Sequence, residues 1–146
     1  MATFSRSTTV DWTGSIMEGT GTAKAGTGAF TLPVSFPKRI GDAEGVTSPE
    51  ELVAASHAAC YAMVIAGALG RANATTRQMS VKCTVTADKG DAGIKLIESR
   101  LEVTVDGLTG MDLAAFETMA KEAEGKCPIS NALRPSMKID VVVNAR

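Results

Sequence analysis

The chain has 146 residues, which suits one domain over 1–146 with a sizeable core. Its 15 Lys and Arg nearly balance 16 Asp and Glu, so no basic stripe argues for nucleic acid and no acidic tail argues for disorder. Three cysteines do not make a disulfide scaffold, and the opening MATFSRSTTVDW has no long apolar run, so the expectation is a cytoplasmic protein without a secretory signal, where a disulfide is more often catalytic than structural.

From Thr3 to Trp12 the alternation of Phe4, Arg6, Thr8, Val10 and Trp12 with polar residues predicts a strand, with Arg6 on its inward face. Asp11-Trp12-Thr13-Gly14 reads as a turn into a second strand. The glycine-rich run Gly19 to Gly28 invites a phosphate-loop reading, but no G-x-G-x-x-G can be drawn and no Gly-Lys-Ser/Thr follows. Turns between antiparallel strands account for it. Ala29 to Phe36 reads as a third strand, interrupted by Pro33, and Phe36 to Thr47 as a connector.

Ser48 to Arg71 predicts a buried central helix. Ser48 is placed to cap it, Pro49 falls at the first helical position, and Glu51 completes an S-x-x-E box. Leu52, Ser56, Ala59, Cys60, Met63 and Gly67 recur at helical spacing on one face, and many alanines keep the rest slim. Two glutamates at its start and His57 within it argue against a membrane span. Met79 to Asp88 and Ile97 to Val105 alternate as an antiparallel pair around a turn at 89–93. Asp112 caps a helix whose expected buried side is Leu113, Phe116, Ala120 and Ala123. Cys127-Pro128 opens a short helix, and Met137 to Val143 closes the chain as a strand. This order is not a repeated βαβ series, so it predicts α+β with antiparallel sheets.

The thiolate is the reactive form of cysteine, and a free thiol titrates near ~8.5. Cys60 lies about three turns into its helix, too far from the helix start for those amides to help. A cation must therefore reach it from outside the helix. Cys127 precedes a proline, at a cap position beside unpaired N–H groups, with Lys126 adjacent. Cys83 falls on the apolar face of a strand and reads as a plain core residue; core packing is an alternative for Cys60 too. His57, three residues before Cys60, is either its base or a packed, hydrogen-bonded residue. No paired C-x-x-C spacing supports a zinc site of His57, Cys60, Cys83 and Cys127.

Two motifs together carry a resemblance. Ser48-Pro49-Glu50-Glu51-Leu52 with Ala58-Ala59-Cys60 and Met63, and Cys127-Pro128-Ile129-Ser130-Asn131-Ala132-Leu133, resemble the OsmC/Ohr family of osmotically inducible protein C and organic hydroperoxide resistance proteins. The text from His57 to Met63 is more similar to the OsmC branch. Ser48 departs from the family's asparagine and Tyr61 from its phenylalanine. The resemblance implies antiparallel sheets wrapped around the long helix in an intertwined homodimer, with two active sites at the subunit interface. It also implies a thiol peroxidase without metal or flavin that reduces organic hydroperoxides better than hydrogen peroxide. Cys60 would be the peroxidatic cysteine and Cys127 the resolving one. Glu50 matches the family glutamate and Arg39 the activating arginine, with Arg6 as rival. An external dithiol, a lipoyl-bearing protein, would restore the thiols.

Glu50 and Cys60 stand ten residues apart on one predicted helix, about 15 Å along its axis at a rise of ~1.5 Å per residue. Glu50 is therefore expected to act across the dimer, at the partner's Cys60. Met63, Leu133, Phe36 and Tyr61 are candidates for an apolar pocket wall and equally for core. A binding module for lipid-like ligands and a cysteine hydrolase using Cys60 and His57 are the competing functions; neither needs Cys127.

Overall fold

A computed structural model describes all residues, 1–146, and they divide into two compact units, Met1–Leu52 and Val53–Arg146. The first holds a three-stranded antiparallel sheet of β1 (Thr8–Thr13), β2 (Thr20–Ala25) and β3 (Thr31–Val34) in that order. Pro33 sits on β3, an edge strand, where a missing N–H is tolerated. β1 is shorter than the alternation from Thr3 predicts, and every residue of it is exposed. Arg6 lies ahead of it, exposed rather than inward, with its guanidinium donating to the Ser5 carbonyl and lying over the Phe4 ring.

The stretch expected as a connector contains a helix, α1 (Phe36–Ile40). Ser35 caps it by accepting from the Lys38 amide, Pro37 sits in its first turn, and Gly41 follows its end. A stop this early leaves five residues, too few for any periodicity to show.

α2 (Pro49–Arg71) starts in the first unit and runs through the second. The Ser48 hydroxyl accepts from the Glu51 amide at 3.1 Å. The other half of the expected box goes elsewhere: the Glu51 carboxylate accepts from the Thr47 hydroxyl at 2.6 Å. The buried stripe is His57, Tyr61, Ile65 and Leu69, not the face of small residues expected from spacing. Met63, on that expected face, is 72% exposed. By length and hydropathy alone α2 is apolar enough to cross a bilayer, so it is the glutamates at its start and His57 that speak against a span. Its buried stripe packs in a protein core, as the long helix of a globular domain does.

The second unit is built on a sheet of order β4–β5–β6. β4 (Gln78–Gly90) and β5 (Gly93–Asp106) form a long hairpin with a register shift between Thr86 and Ala87. β6 (Lys138–Ala145) then joins β5 in parallel. Alternation foresees the strand but not its direction. A parallel return needs a crossover, and residues 107–137 supply one containing α3 (Leu113–Glu124) and α4 (Pro128–Leu133). Asp112 caps α3 by accepting from the Ala115 amide at 2.8 Å. Phe116, Ala120 and Ala123 are buried, while Leu113, expected beside them, is exposed. The core joins the buried stripe of α2 to Leu101, Val103 and Val105 of β5, the buried face of α3, and Cys127.

Candidate active site

Two groups of functional side chains are assembled, one in each unit. In the first, α1 presents Arg39 to Glu50 at the start of α2. The guanidinium Nε lies 3.1 and 3.2 Å from the two carboxylate oxygens, and Nη2 lies 2.6 Å from Oε1. This two-pronged contact fixes the plane of the guanidinium as a single contact would not. The Arg39 hydrogen bond holds the Glu50 carboxyl below its ordinary range and outweighs the opposing effect of burial. Glu50 in turn raises the Arg39 guanidinium further. Arg6, the rival arginine, makes no contact with Glu50; its partners are Ser5 and Phe4. Beside Arg39 opens an apolar pocket of about 250 Å³, lined by Val10, Trp12, Val34, Phe36 and Leu52 among others.

In the second unit Cys60 and Cys127 adjoin as free thiols. Cys127 is fully buried and caps α4, its sulfur accepting from the Ser130 amide at 3.5 Å. Cys60 is half-buried. Burial pushes the Cys60 thiol up, the Ile129 backbone N–H pulls it part of the way down, and Cys127 raises it again. No cation is among the groups that set it. Burial also raises the Cys83 thiol, which the Ser99 hydroxyl partly offsets.

His57 is not a base for Cys60. Its ring is fully buried, with Nδ1 2.7 Å from the Ser99 hydroxyl and Nε2 2.7 Å from the Ser130 hydroxyl. Burial pushes its pKa down, outweighing the opposing charge of Glu124, and so favours the neutral ring. With both nitrogens taken, the Cys–His pairing of a hydrolase is not formed. No three His, Cys, Asp or Glu side chains converge as a metal would require. Ser99 and Ser130 are the residues that sequence reading missed.

The candidate wall residues scatter. Phe36 lines the pocket beside Arg39. Met63 borders a shallow cleft with Val64, Gly67, Arg71 and Lys126. Leu133 borders a different cleft, with Ile94, Leu96 and Met137. Tyr61 is no wall at all: it is fully buried, and its hydroxyl donates to the Ala120 carbonyl at 2.5 Å. One helical step of about 100° separates it from Cys60, enough to turn it to the core side.

A long helix carrying one thiol and a short helix capped by a second define a class of small α+β thiol proteins. The family model described as OsmC-like protein matches residues 41–142. The chain is 33% identical over 130 residues to the Peroxiredoxin OsmC of Escherichia coli K12, covering 88% of this chain and 90% of that one. It is 31% identical over 119 residues to an Organic hydroperoxide resistance protein of Xanthomonas axonopodis pv. citri, covering 79% and 80%. A crystal structure of an organic hydroperoxide resistance protein OsmC from Legionella pneumophila shares the fold with a TM-score of 0.76 at 24% identity, covering 99% of both chains. That of OhrB of Bacillus subtilis does so with a TM-score of 0.74 at 22% identity, covering 96% and 98%. The chain belongs to the OsmC-like family.

Proposed function

We propose that the protein is a thiol peroxidase that reduces organic hydroperoxides to alcohols. The observation that carries this reading is the adjoining pair of thiols, Cys60 and Cys127, one half-buried on α2 and the other capping α4. The names of the relatives, peroxiredoxin and organic hydroperoxide resistance protein, point the same way. The Cys60 thiolate attacks the outer peroxide oxygen; the O–O bond breaks, the alkoxide leaves as ROH on taking a proton, and Cys60 becomes a sulfenic acid. The Cys127 thiol then displaces water from that sulfenic acid and closes a disulfide. An external dithiol, of which a lipoyl-bearing protein is the favoured candidate, restores both thiols by exchange and is itself oxidised.

The Cys60 thiol is raised and lacks a cation among the groups that set it, so it needs one from elsewhere. Arg39 is the fitting supplier, with its plane fixed by Glu50. α2 is unbroken from Pro49 to Arg71, which keeps Glu50 and Cys60 ten residues apart on it. The protein therefore works as a homodimer, with Arg39 and Glu50 of one protomer serving Cys60 of the other. The apolar residues exposed on the first unit, Val10, Trp12, Ile16 and Met17, and Met63 on α2, are the surface such a dimer would cover. The apolar pocket beside Arg39, walled by Phe36, suits the alkyl part of a hydroperoxide.

The test is to count thiols in the reduced protein before and after one equivalent of cumene hydroperoxide and to map the oxidised peptides. Loss of two thiols with a Cys60–Cys127 crosslink is expected. In Cys127→Ser, one equivalent of peroxide is consumed and a sulfenic acid stays trapped on Cys60. An unchanged thiol count in the wild type would overturn the reading in favour of a ligand-binding module.

A further inference from the structure

Next to the thiols lies a buried polar network that peroxide reduction itself does not use. It runs from the Cys83 sulfur, 3.2 Å from the Ser99 hydroxyl, through His57 to the Ser130 hydroxyl, each imidazole bond being 2.7 Å long. Ser130 then donates its backbone N–H to the Cys127 sulfur. His57, Ser99, Ser130 and Cys127 are all fully buried, and no buried side-chain nitrogen or oxygen is left without a partner. A polar group in a core costs stability unless every bond is made, and a fully satisfied network confers a unique geometry.

That geometry concerns α4. Six residues are far fewer than the ~12–15 an isolated helix needs to be even marginally stable in water. Its position therefore depends on its ties. The Ser130 side chain ties it to His57, one turn before Cys60 on α2. The first turn of α4 in return brings two groups to Cys60, the Cys127 thiol and the Ile129 amide. The network cannot relay a proton to Cys127, because its last link is a backbone N–H, which does not ionise. It acts by placement alone.

We propose that His57 is a positioning residue for disulfide formation: through Ser130, and anchored by Ser99, it holds Cys127 where it can attack the Cys60 sulfenic acid. This inference rests on the peroxidase reading. Two reactions compete for that sulfenic acid. With the Cys127 thiol it gives the disulfide and water; with a second hydroperoxide it gives the sulfinic acid and an alcohol. The first is intramolecular, and a misplacement of about 1 Å costs such a step about 10²-fold. In the initial oxidation Cys127 and the Ile129 amide act only by adjusting the Cys60 thiol, in opposite directions, whereas in the second step Cys127 is itself the attacking group, so the second step is the more sensitive to where Cys127 stands.

The full-length reduced protein is mixed rapidly with cumene hydroperoxide and quenched in acid. Mass spectrometry follows loss of the Cys60 thiol, appearance of the disulfide and appearance of the sulfinic acid. In Ser130→Ala and His57→Gln the disulfide is expected to form about tenfold or more slowly, with Cys60 oxidation changed by a smaller factor and sulfinic acid accumulating in excess peroxide. Ser130→Ala removes one hydroxyl and carries the test alone if His57→Gln fails to fold. Wild-type rates of disulfide formation in Ser130→Ala, or equal slowing of both steps, would overturn the proposal. A wild type that forms no Cys60–Cys127 disulfide would instead overturn the peroxidase reading.

Discussion

Tyr61 follows Cys60 directly, and its two placements, pocket wall or core, predict opposite results for Tyr61→Phe. The hydroxyl donates to the Ala120 carbonyl at 2.5 Å in a site with no solvent exposure. Removing a neutral hydrogen bond of this kind costs about 0.5–1.5 kcal/mol. At about 2–4 °C per kcal/mol for a chain of this size, the melting temperature falls by about 1–6 °C. The KM for hydroperoxide stays unchanged, because the ring faces the core. The alkaline limb offers an independent check. Burial holds the Tyr61 phenol well above its ordinary value, whereas the unfolded chain ionises near ~10. Above that pH the unfolded state holds fewer protons than the native one. Stability is thus intact below ~10 and falls as pH rises, by about 1.4 kcal/mol per unit from this group. Tyr61 is the sole tyrosine, so tyrosinate absorbance reports it alone. The absorbance is expected to rise only in the transition that abolishes the far-ultraviolet circular dichroism. Ionisation near ~10 in a protein with intact dichroism, or a changed KM in Tyr61→Phe, would refute the core placement.

The proposal that one protomer's Arg39 and Glu50 serve the other's Cys60 predicts complementation between subunits. Glu50→Gln frees the Arg39 guanidinium from a charge-assisted contact worth about 1.5–3 kcal/mol, so Cys60 oxidation should slow at least tenfold, while Arg6→Ala should be neutral. Mixed dimers of Glu50→Gln with Cys60→Ser turn over faster than either parent, through the one site that keeps both groups; mixed dimers no faster than Glu50→Gln would place the site within one chain. Because Arg39 holds the Glu50 carboxyl low, its contribution persists across the neutral range and is lost only as pH falls through the lowered carboxyl pKa. His57 is the sole histidine, so one imidazole resonance reports it, titrating below the ordinary ~6.5. Its burial makes stability full above that value and progressively lost as pH falls below it, a slope that His57→Gln removes. Asp112→Ala removes the α3 cap and costs about 1 kcal/mol in denaturant unfolding, with no effect on thiol reactivity.

The start of α2 could be read from Ser48, Pro49 and Glu51 because capping is local chemistry. Which face it buries could not. Leu52, Ser56, Cys60 and Met63 run at helical spacing, but so do His57, Tyr61, Ile65 and Leu69, and in a helix this uniformly apolar periodicity does not choose between them. The choice is made by β5 and α3, which pack against the second set. The serines were hidden for a related reason. Ser99 and Ser130 meet His57 from 42 and 73 residues away, and a lone serine in a strand or short helix carries no sign of a buried partner. Arg39 and Glu50 stand out by motif, whereas the helix α1 that presents Arg39 does not. Its signal, Ser35 two residues before Pro37, was present yet too short to stand out.

The parallel return of β6 imposes an order on the making of this protein. The β4–β5 hairpin is a local contact and can zip as soon as both strands leave the ribosome. β6 has to close a much longer loop, and it follows both of those strands in the chain. The crossover that carries Cys127 is pinned at both ends only when that strand docks. Until then the nascent chain holds a completed α2 with Cys60 and no seated second thiol. In this fold the seating of Cys127 beside Cys60 therefore waits on the docking of β6, the slowest contact of the sheet to close.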